Sequence, residues 1–139
     1  LQELATSASV RVVRELEADL PACRADRDLL VRALTNLLQN GLEAMPEGGV
    51  LTVRTARRER GQTSGVLLTV EDSGHGMDAR TRERAFDDFY TTKASGTGLG
   101  LPFVRRVLVA HGGGATLTSR VGHGTAVHLW LPTQPLLSP

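Results

Sequence analysis

Gly96-Thr97-Gly98-Leu99-Gly100-Leu101, shortly after Phe89-Tyr90-Thr91-Thr92-Lys93 and running straight into an apolar helical pattern, decides how this 139-residue chain is read. Glycines at alternate positions let backbone N–H groups approach a polyphosphate closely. The helix that follows presents its unpaired amides and positive dipole end to the same anion. The spacing also says which phosphate loop this is not. It lacks the Gly-x4-Gly-Lys-Ser/Thr of a P-loop, and Gly-x-Gly-x-Gly differs from the Gly-x-Gly-x-x-Gly of dinucleotide folds and eukaryotic-type protein kinases.

Outward from this loop, short helix and strand patterns alternate without an internal repeat or a low-complexity block. Downstream, a helix from about Leu99 to His111 leads to a hairpin of Ala115–Arg120 and Thr125–Leu131. His111, beside two glycines, reads as a helix C-terminal residue favoured by the dipole. Upstream lies a short helix, Ala79–Ala85, and before it an antiparallel pair, Val50–Ala56 and Val66–Asp72. Arg57-Arg58-Glu59-Arg60-Gly61 joins that pair and reads as a solvated hairpin tip. A longer helix, Asp28–Met45, ends at Pro46-Glu47-Gly48-Gly49, and Val10–Leu16 and Ala22–Ala25 read as short strands. These elements predict an α/β (α+β) two-layer sandwich: a mixed, mostly antiparallel sheet with about three helices on one face. Residues 1–139 form one domain in this reading, with a core over about 10–132 and a flexible tail at 133–139.

Composition narrows the partners. Sixteen Lys and Arg against 15 Asp and Glu give a formal net charge of +1, which recommends neither a nucleic acid nor direct contact with a membrane surface. The single cysteine, Cys23, excludes an internal disulfide, reads as a small buried apolar residue and suits a reducing, cytoplasmic setting. No apolar run approaches the roughly 18–20 residues that span a bilayer. A parent protein anchored in a membrane is compatible with all of this. The four histidines, His75, His111, His123 and His128, show neither zinc spacing nor the acidic neighbour of a His-Glu/Asp phosphoacceptor signature.

Three elements place polar groups where packing alone would not. Around the first long helix, Leu30, Leu34, Leu37, Leu38 and Met45 gather on one side and Asn36, Asn40 and Glu43 stack on the other. Two asparagines in a helix interior are locally unfavourable, so this stripe is either a tolerated exposed face or a face of carboxamides and a carboxylate toward a ligand or hard cation. In the strand 66–72, the two-residue period puts Asp72 on the side of Val66, Leu68 and Val70, and Ser73-Gly74-His75-Gly76 follows with room beside it. Asp72 either caps a turn or accepts an exocyclic amino group of a base. Thr125, just after Gly124, is a second polar group on the core side, in line with Val127, Leu129 and Leu131.

In this order, Asn36-Leu37-Leu38-Gln39-Asn40, Asp72-Ser73-Gly74-His75-Gly76, Phe86-x-x-Phe89-Tyr90-Thr91-Thr92-Lys93, Gly96 to Leu101 and Gly124-Thr125 resemble the catalytic, ATP-binding domain of bacterial sensor histidine kinases. That domain has the Bergerat fold of the wider gyrase, chaperone, kinase and mismatch-repair ATPase superfamily. The Thr-Thr-Lys lid most resembles the nitrogen-regulatory type, and the resemblance covers about Val10 to Pro132. It implies ATP and Mg²⁺ as cofactors, with Asn40 on the metal and Asp72 on the adenine amino group, helped by Thr125 through a water. It also implies that Gly74 and Gly76 shape the adenine pocket, with Met77 as a wall of it. Gly96, Thr97, Gly98, Leu99, Gly100 and Leu101 would form the phosphate loop, with Gly98 and Gly100 offering backbone N–H groups. Phe86 and Phe89 would anchor the lid. Lys93, with Asn40, is the candidate catalytic residue, and Asn36 and Glu43 complete the polar face of the helix. Two positions depart from the family: Asp88 stands where Pro is frequent, and Glu43 where many relatives place a phosphate-facing Lys.

The activity so implied is transfer of the γ-phosphoryl group to a histidine on a separate dimerisation and phosphotransfer domain of the same kinase, with a response regulator as the indirect partner. Two alternatives share the fold: an ATPase conformational switch of the gyrase or chaperone type, and an anti-sigma-factor serine kinase. The switch enzymes place a water-activating Glu four residues before the metal-binding Asn. Here that position is Asn36, whose neutral amide cannot act as a general base.

Overall fold

Strand β1 (Val10–Leu16) lies parallel to β2 (Gly49–Arg57), and parallel neighbours cannot be joined by a tight turn. The chain therefore crosses over through α1 (Arg27–Glu43). In this computed structural model residues 9–88 and 100–133 are described. The remaining strands, β3 (Gly65–Asp72), β4 (Gly114–Arg120) and β5 (Gly124–Pro132), pair antiparallel, giving the sheet order β1-β2-β3-β5-β4. With α2 (Ala79–Arg84) and α3 (Gly100–Ala110), this is the mixed, mostly antiparallel sheet with three helices that the sequence predicts. Lys93, Gly96, Thr97, Gly98, Leu99, Phe89 and Tyr90 lie outside the described residues, as does the tail from residue 134.

Register sets which face is core. Leu51 pairs with Asp72 and Val53 with Val70, while Val70 pairs with Val127 and Leu68 with Leu129, so alternate residues of the central strands share one side. That side carries Leu51, Val70, Val127 and Leu129, which cluster with Ala33 and Leu37 of α1 and Val104, Val107 and Leu108 of α3. On the other side Arg54 bridges Glu15 at 2.6 Å and Glu71 at 2.8 Å, tying three strands through half-exposed charges of small energetic worth. The hairpin tip between β2 and β3 is not simply solvated, as the sequence suggests. It folds back over Trp130, which is 7% exposed: the indole Nε1 donates to the Arg58 carbonyl at 2.9 Å, and the Arg60 guanidinium stands 5.1 Å from the ring centre.

Helix α1 starts where Asp26 caps it, its Oδ1 accepting from the Leu29 N–H at 3.0 Å. No strand forms at 22–25, contrary to expectation. Pro21 has no N–H for a ladder, and the segment is held instead by the Asp26 N–H, which donates to His111 Nε2 at 2.9 Å. The His111 Nδ1 meets the Val107 carbonyl at 2.7 Å, so an unprotonated Nε2 and a protonated Nδ1 tie the end of α3 to the start of α1. His111 thus sits at the helix C-terminus as expected, with Nδ1 on a carbonyl of the last turn, and the bond to Asp26 is an addition to that role. Cys23 is half-buried, and that burial pushes its thiol up.

The helical wheel also needs one correction. The fully buried positions of α1 are Ala33, Leu37 and Gly41, four residues apart, and the polar stripe flanks them rather than opposing them. Asn36 and Asn40 are half-buried and only Glu43 is exposed. The cause is α3, which packs against that flank of α1 and brings Gly100 beside Asn40.

Candidate functional site

The end of the sheet nearest α1 carries a row of polar side chains where the core should continue. Asp72 of β3 pairs with Thr125 of β5, and Thr125 pairs with Ser119 of β4, so the three lie side by side on the helix-facing surface. Asp72 is 9% exposed and Thr125 8%, and such burial is costly unless partners are supplied. Asp72 Oδ1 accepts from the backbone N–H of Gly74 at 2.9 Å and of Thr125 at 3.3 Å. Burial pushes its carboxyl above the ordinary range, while these N–H groups pull the other way and only in part offset it. Among the described residues nothing donates to its second oxygen, Oδ2. Among the described residues no buried side-chain oxygen lacks a partner, so Oδ2 opens to solvent as an available acceptor.

Room beside Oδ2 comes from α1. A Cβ at Gly41 would stand 2.7 Å from Leu51 Cδ1, 3.6 Å from Asp72 Cβ and 3.9 Å from Oδ2. Glycine costs about 1 kcal/mol in a helix interior, and here it lets the helix settle directly onto Asp72. The preceding residue, Asn40, turns to the other side of the helix. Its Nδ2 and Oδ1 lie 3.5 and 3.8 Å from the position a Cβ would take on Gly100, the first residue of α3. One turn of α1 thus faces a carboxylate on one side and a helix N-terminus on the other.

The loop after Asp72 closes the third side. Gly74 approaches the Ala44 carbonyl so closely that any side chain would collide with it, and His75 donates its N–H to the same carbonyl at 3.3 Å. Gly76 sits at φ +73°, with the Arg120 carbonyl where a Cβ would be. The Met77 N–H then donates to Ser119 Oγ at 2.8 Å, and Arg82 holds the Ser119 carbonyl at 2.9 Å. Asp72, Gly74, Gly76, Met77 and Thr125, singled out from sequence, therefore converge. Asn40 stands apart from them on the flank of α1, beside Gly100, and Asn36 is half-buried one turn earlier on the same helix. Glu43 is exposed at the end of the same stripe, and Leu101 packs against the core cluster at the start of α3. The sequence reading missed Ser119 and Gly41. The signal for Ser119 was the two-residue period, which sets it in line with Ala115 and Leu117.

A family model described as histidine kinase-, DNA gyrase B- and HSP90-like ATPase matches residues 25–135. The chain belongs to that family. It is 36% identical over 135 residues to the signal transduction histidine-protein kinase AtoS of Escherichia coli K12, covering 97% of this chain and 22% of AtoS. It is 37% identical over 116 residues to sporulation kinase C of Bacillus subtilis, covering 84% of this chain and 26% of that kinase. Among solved structures, the mycobacterial sensor histidine kinase MprB superposes with a TM-score of 0.77 at 27% identity, over 97% of this chain and 88% of that one. The catalytic domain of the histidine kinase ThkA superposes with a TM-score of 0.76 at 30% identity, over 91% and 82%. The chain spans about a quarter of the length of the curated relatives it matches. Among the described residues, no helix is long and apolar enough to cross a membrane.

Proposed function

We propose that this chain is the ATP-binding catalytic domain of a sensor histidine kinase. It holds Mg-ATP and passes the γ-phosphoryl group to a histidine on a separate dimerisation domain, from which a response regulator is served. The observation that carries this reading is the state of Asp72, whose Oδ1 is fully engaged by two backbone N–H groups while Oδ2 stays open beside Gly41. A lone acceptor in a walled pocket fits the exocyclic amino group of adenine. Thr125 assists, and Gly74, Gly76 and Met77 form the wall.

The donor set also fits a magnesium ion carried by a nucleotide. Asn40 offers one hard oxygen, and among the described residues no three His, Cys, Asp or Glu side chains converge, so the ion would arrive on the nucleotide's own phosphates. Bound there, Mg²⁺ would neutralise charge on the phosphates. The chain's share is positioning: Asp72 orients the base, and α1 with the N-terminus of α3 fixes the phosphate end. Gly96 to Leu99 and Lys93 belong to this proposal on sequence grounds. Asn36 and Asn40 supply carboxamides and no base, which suits a domain that hands its phosphoryl group to a partner over one that activates water.

The test is label transfer from γ-labelled ATP. The fragment alone should incorporate almost nothing, and adding the cognate dimerisation domain should yield an acid-labile, base-stable phosphohistidine on that domain. Label on a serine of a partner would instead establish the anti-sigma type of kinase. Rapid hydrolysis by the fragment alone would favour the conformational switch.

A further inference from the structure

We propose that the cleft beneath the tip of the β2–β3 hairpin, on the sheet face turned away from Asp72, binds a small organic anion: one carboxylate carried on a flat apolar body of one or two rings. This site is independent of the nucleotide reading.

The cleft follows from strand periodicity. Val127 and Leu129 of β5 turn to the core, so His128 and Trp130 turn to the opposite face of the sheet. Gly114 of β4 pairs with Trp130 and brings no side chain, which leaves a notch beside the indole. The hairpin tip enters that notch. The Arg58 carbonyl takes the indole N–H, and the Arg60 guanidinium lies over the ring, with Nη1 3.3 Å from the position a Cβ would take on Gly114. What remains is a cavity of about 340 Å³, lined by Arg58, Glu59 and Arg60 from the tip and by Leu67, His128 and Trp130 from the sheet.

Charge decides the class of occupant. On the same face of the sheet Arg54 is satisfied by Glu15 and Glu71. Arg58 and Arg60 are not: among the described residues no carboxylate forms an ion pair with either guanidinium. Glu59 lines the same cavity, so two positive charges stand against one negative and a single positive charge is left over. His128 adds none. Its ring nitrogens lie 3.2 Å from the hydroxyls of Thr69 and Thr118, and burial, helped by Arg54 and Arg58, holds its pKa below the ordinary range against the pull of Glu71. The surplus suits a monoanion, whose carboxylate a guanidinium grips through two parallel N–H bonds. A polyphosphate would set Glu59 against several charges at once.

Size and floor describe the rest of the ligand. A cavity of about 150 Å³ takes one benzene, so this one, at about 340 Å³, has room for one or two rings and a carboxylate. Leu67 and Trp130 give that body an apolar floor, and Thr116 alone among the lining residues adds a hydroxyl.

Trp130 is the only tryptophan of the chain, so its indole N–H resonance reports on this cleft directly. Titration of the chain with 2-naphthoate, followed through that resonance, should saturate with a dissociation constant of about 1 mM or tighter. The cation 2-naphthylmethylammonium, with the same body and the opposite charge, should not saturate. Arg58→Gln and Arg60→Gln should each weaken naphthoate roughly fivefold or more, the loss of a charged hydrogen bond. Glu59→Gln removes the opposing charge without touching the floor and should tighten it by roughly two- to fivefold, which decides the matter even if an arginine variant disturbs the tip. Saturating magnesium-ADP should leave naphthoate affinity unchanged. Three results overturn the proposal: no saturable shift of Trp130, equal binding of the anion and the cation, or a Glu59→Gln protein that binds naphthoate no more tightly than the wild type. Displacement by magnesium-ADP overturns it as well, since the probe would then occupy the nucleotide site.

Discussion

The imidazole of His111 accepts a hydrogen bond from the backbone N–H of Asp26 at 2.9 Å, across 85 positions of sequence. This one bond ties the two helices that flank the site. Asp26 caps α1, whose far end carries Asn40 and Gly41, and His111 follows α3, whose first residue lies beside Asn40. The clamp sits at the ends of α1 and α3 remote from that contact.

His111→Ala should therefore destabilise the fold by about 1–2 kcal/mol, the cost of leaving one partly shielded donor unpaired and one imidazole contact unmade. Asp26→Ala removes the cap and keeps the backbone donor, so it should cost about 1 kcal/mol through a different bond. Urea unfolding of both variants checks this. A His111→Ala curve that coincides with the wild type would mean that the clamp holds nothing.

Asp72→Asn should separate stability from binding. Because Oδ1 is held by two N–H donors, only the amide's carbonyl can occupy that place, and the NH₂ must take the position of Oδ2. A donor then faces the adenine amino group, and ATP affinity should fall by tenfold or more, roughly 1.4 kcal/mol at least. Stability should move the other way. Burial raises the Asp72 pKa above 3.8, so between that value and the raised one the folded chain holds more protons than the unfolded chain. Stability from this carboxyl is greatest in acid and declines as pH rises through that window. The Asn variant lacks the decline and should be equal to the wild type or up to about 1 kcal/mol more stable at neutral pH. A variant that is clearly less stable at neutral pH would contradict the account of burial.

The row of polar groups was half legible in the sequence. Asp72 and Thr125 stand out because each carries a polar side chain on the apolar phase of a strand, and period two is robust. Ser119 obeys the same period yet passes as an ordinary strand-end serine until the register with Thr125 is fixed by the turn at 121–123, a long-range fact. The flank position of Asn36 and Asn40 was obscured because Ala33 and Gly41 carry little hydrophobic weight on a wheel, although small residues are the ones that let a neighbour approach. At 22–25 no ladder partner was available, and alternation alone could not reveal that.

Gly76→Ala should cost about 2 kcal/mol or more, since φ +73° strains any side-chain-bearing residue and the Arg120 carbonyl fills the Cβ position. The strain falls on the 72–77 loop, so the base site should suffer with the fold. Thermal melting and ADP titration should therefore decline together. A stable Gly76→Ala protein with unchanged ADP affinity would show that the loop relaxes freely.

Asn40→Ala distinguishes metal binding from base recognition. The asparagine lies beside Gly100 on the flank of α1, away from Asp72, so its loss should leave magnesium-free ADP binding largely intact. It should remove the extra affinity that Mg²⁺ gives to ATP, and with it phosphotransfer, because the charge developing on the phosphates would lose its main counterion. Truncation of a half-buried side chain next to α3 is costlier than a surface change, and about 1 kcal/mol of stability should go with it. Titrations with ADP and ATP, each with and without magnesium, read the two effects apart. Retained magnesium-dependent ATP affinity in a folded Asn40→Ala protein would remove Asn40 from the metal and return it to a structural role between the two helices.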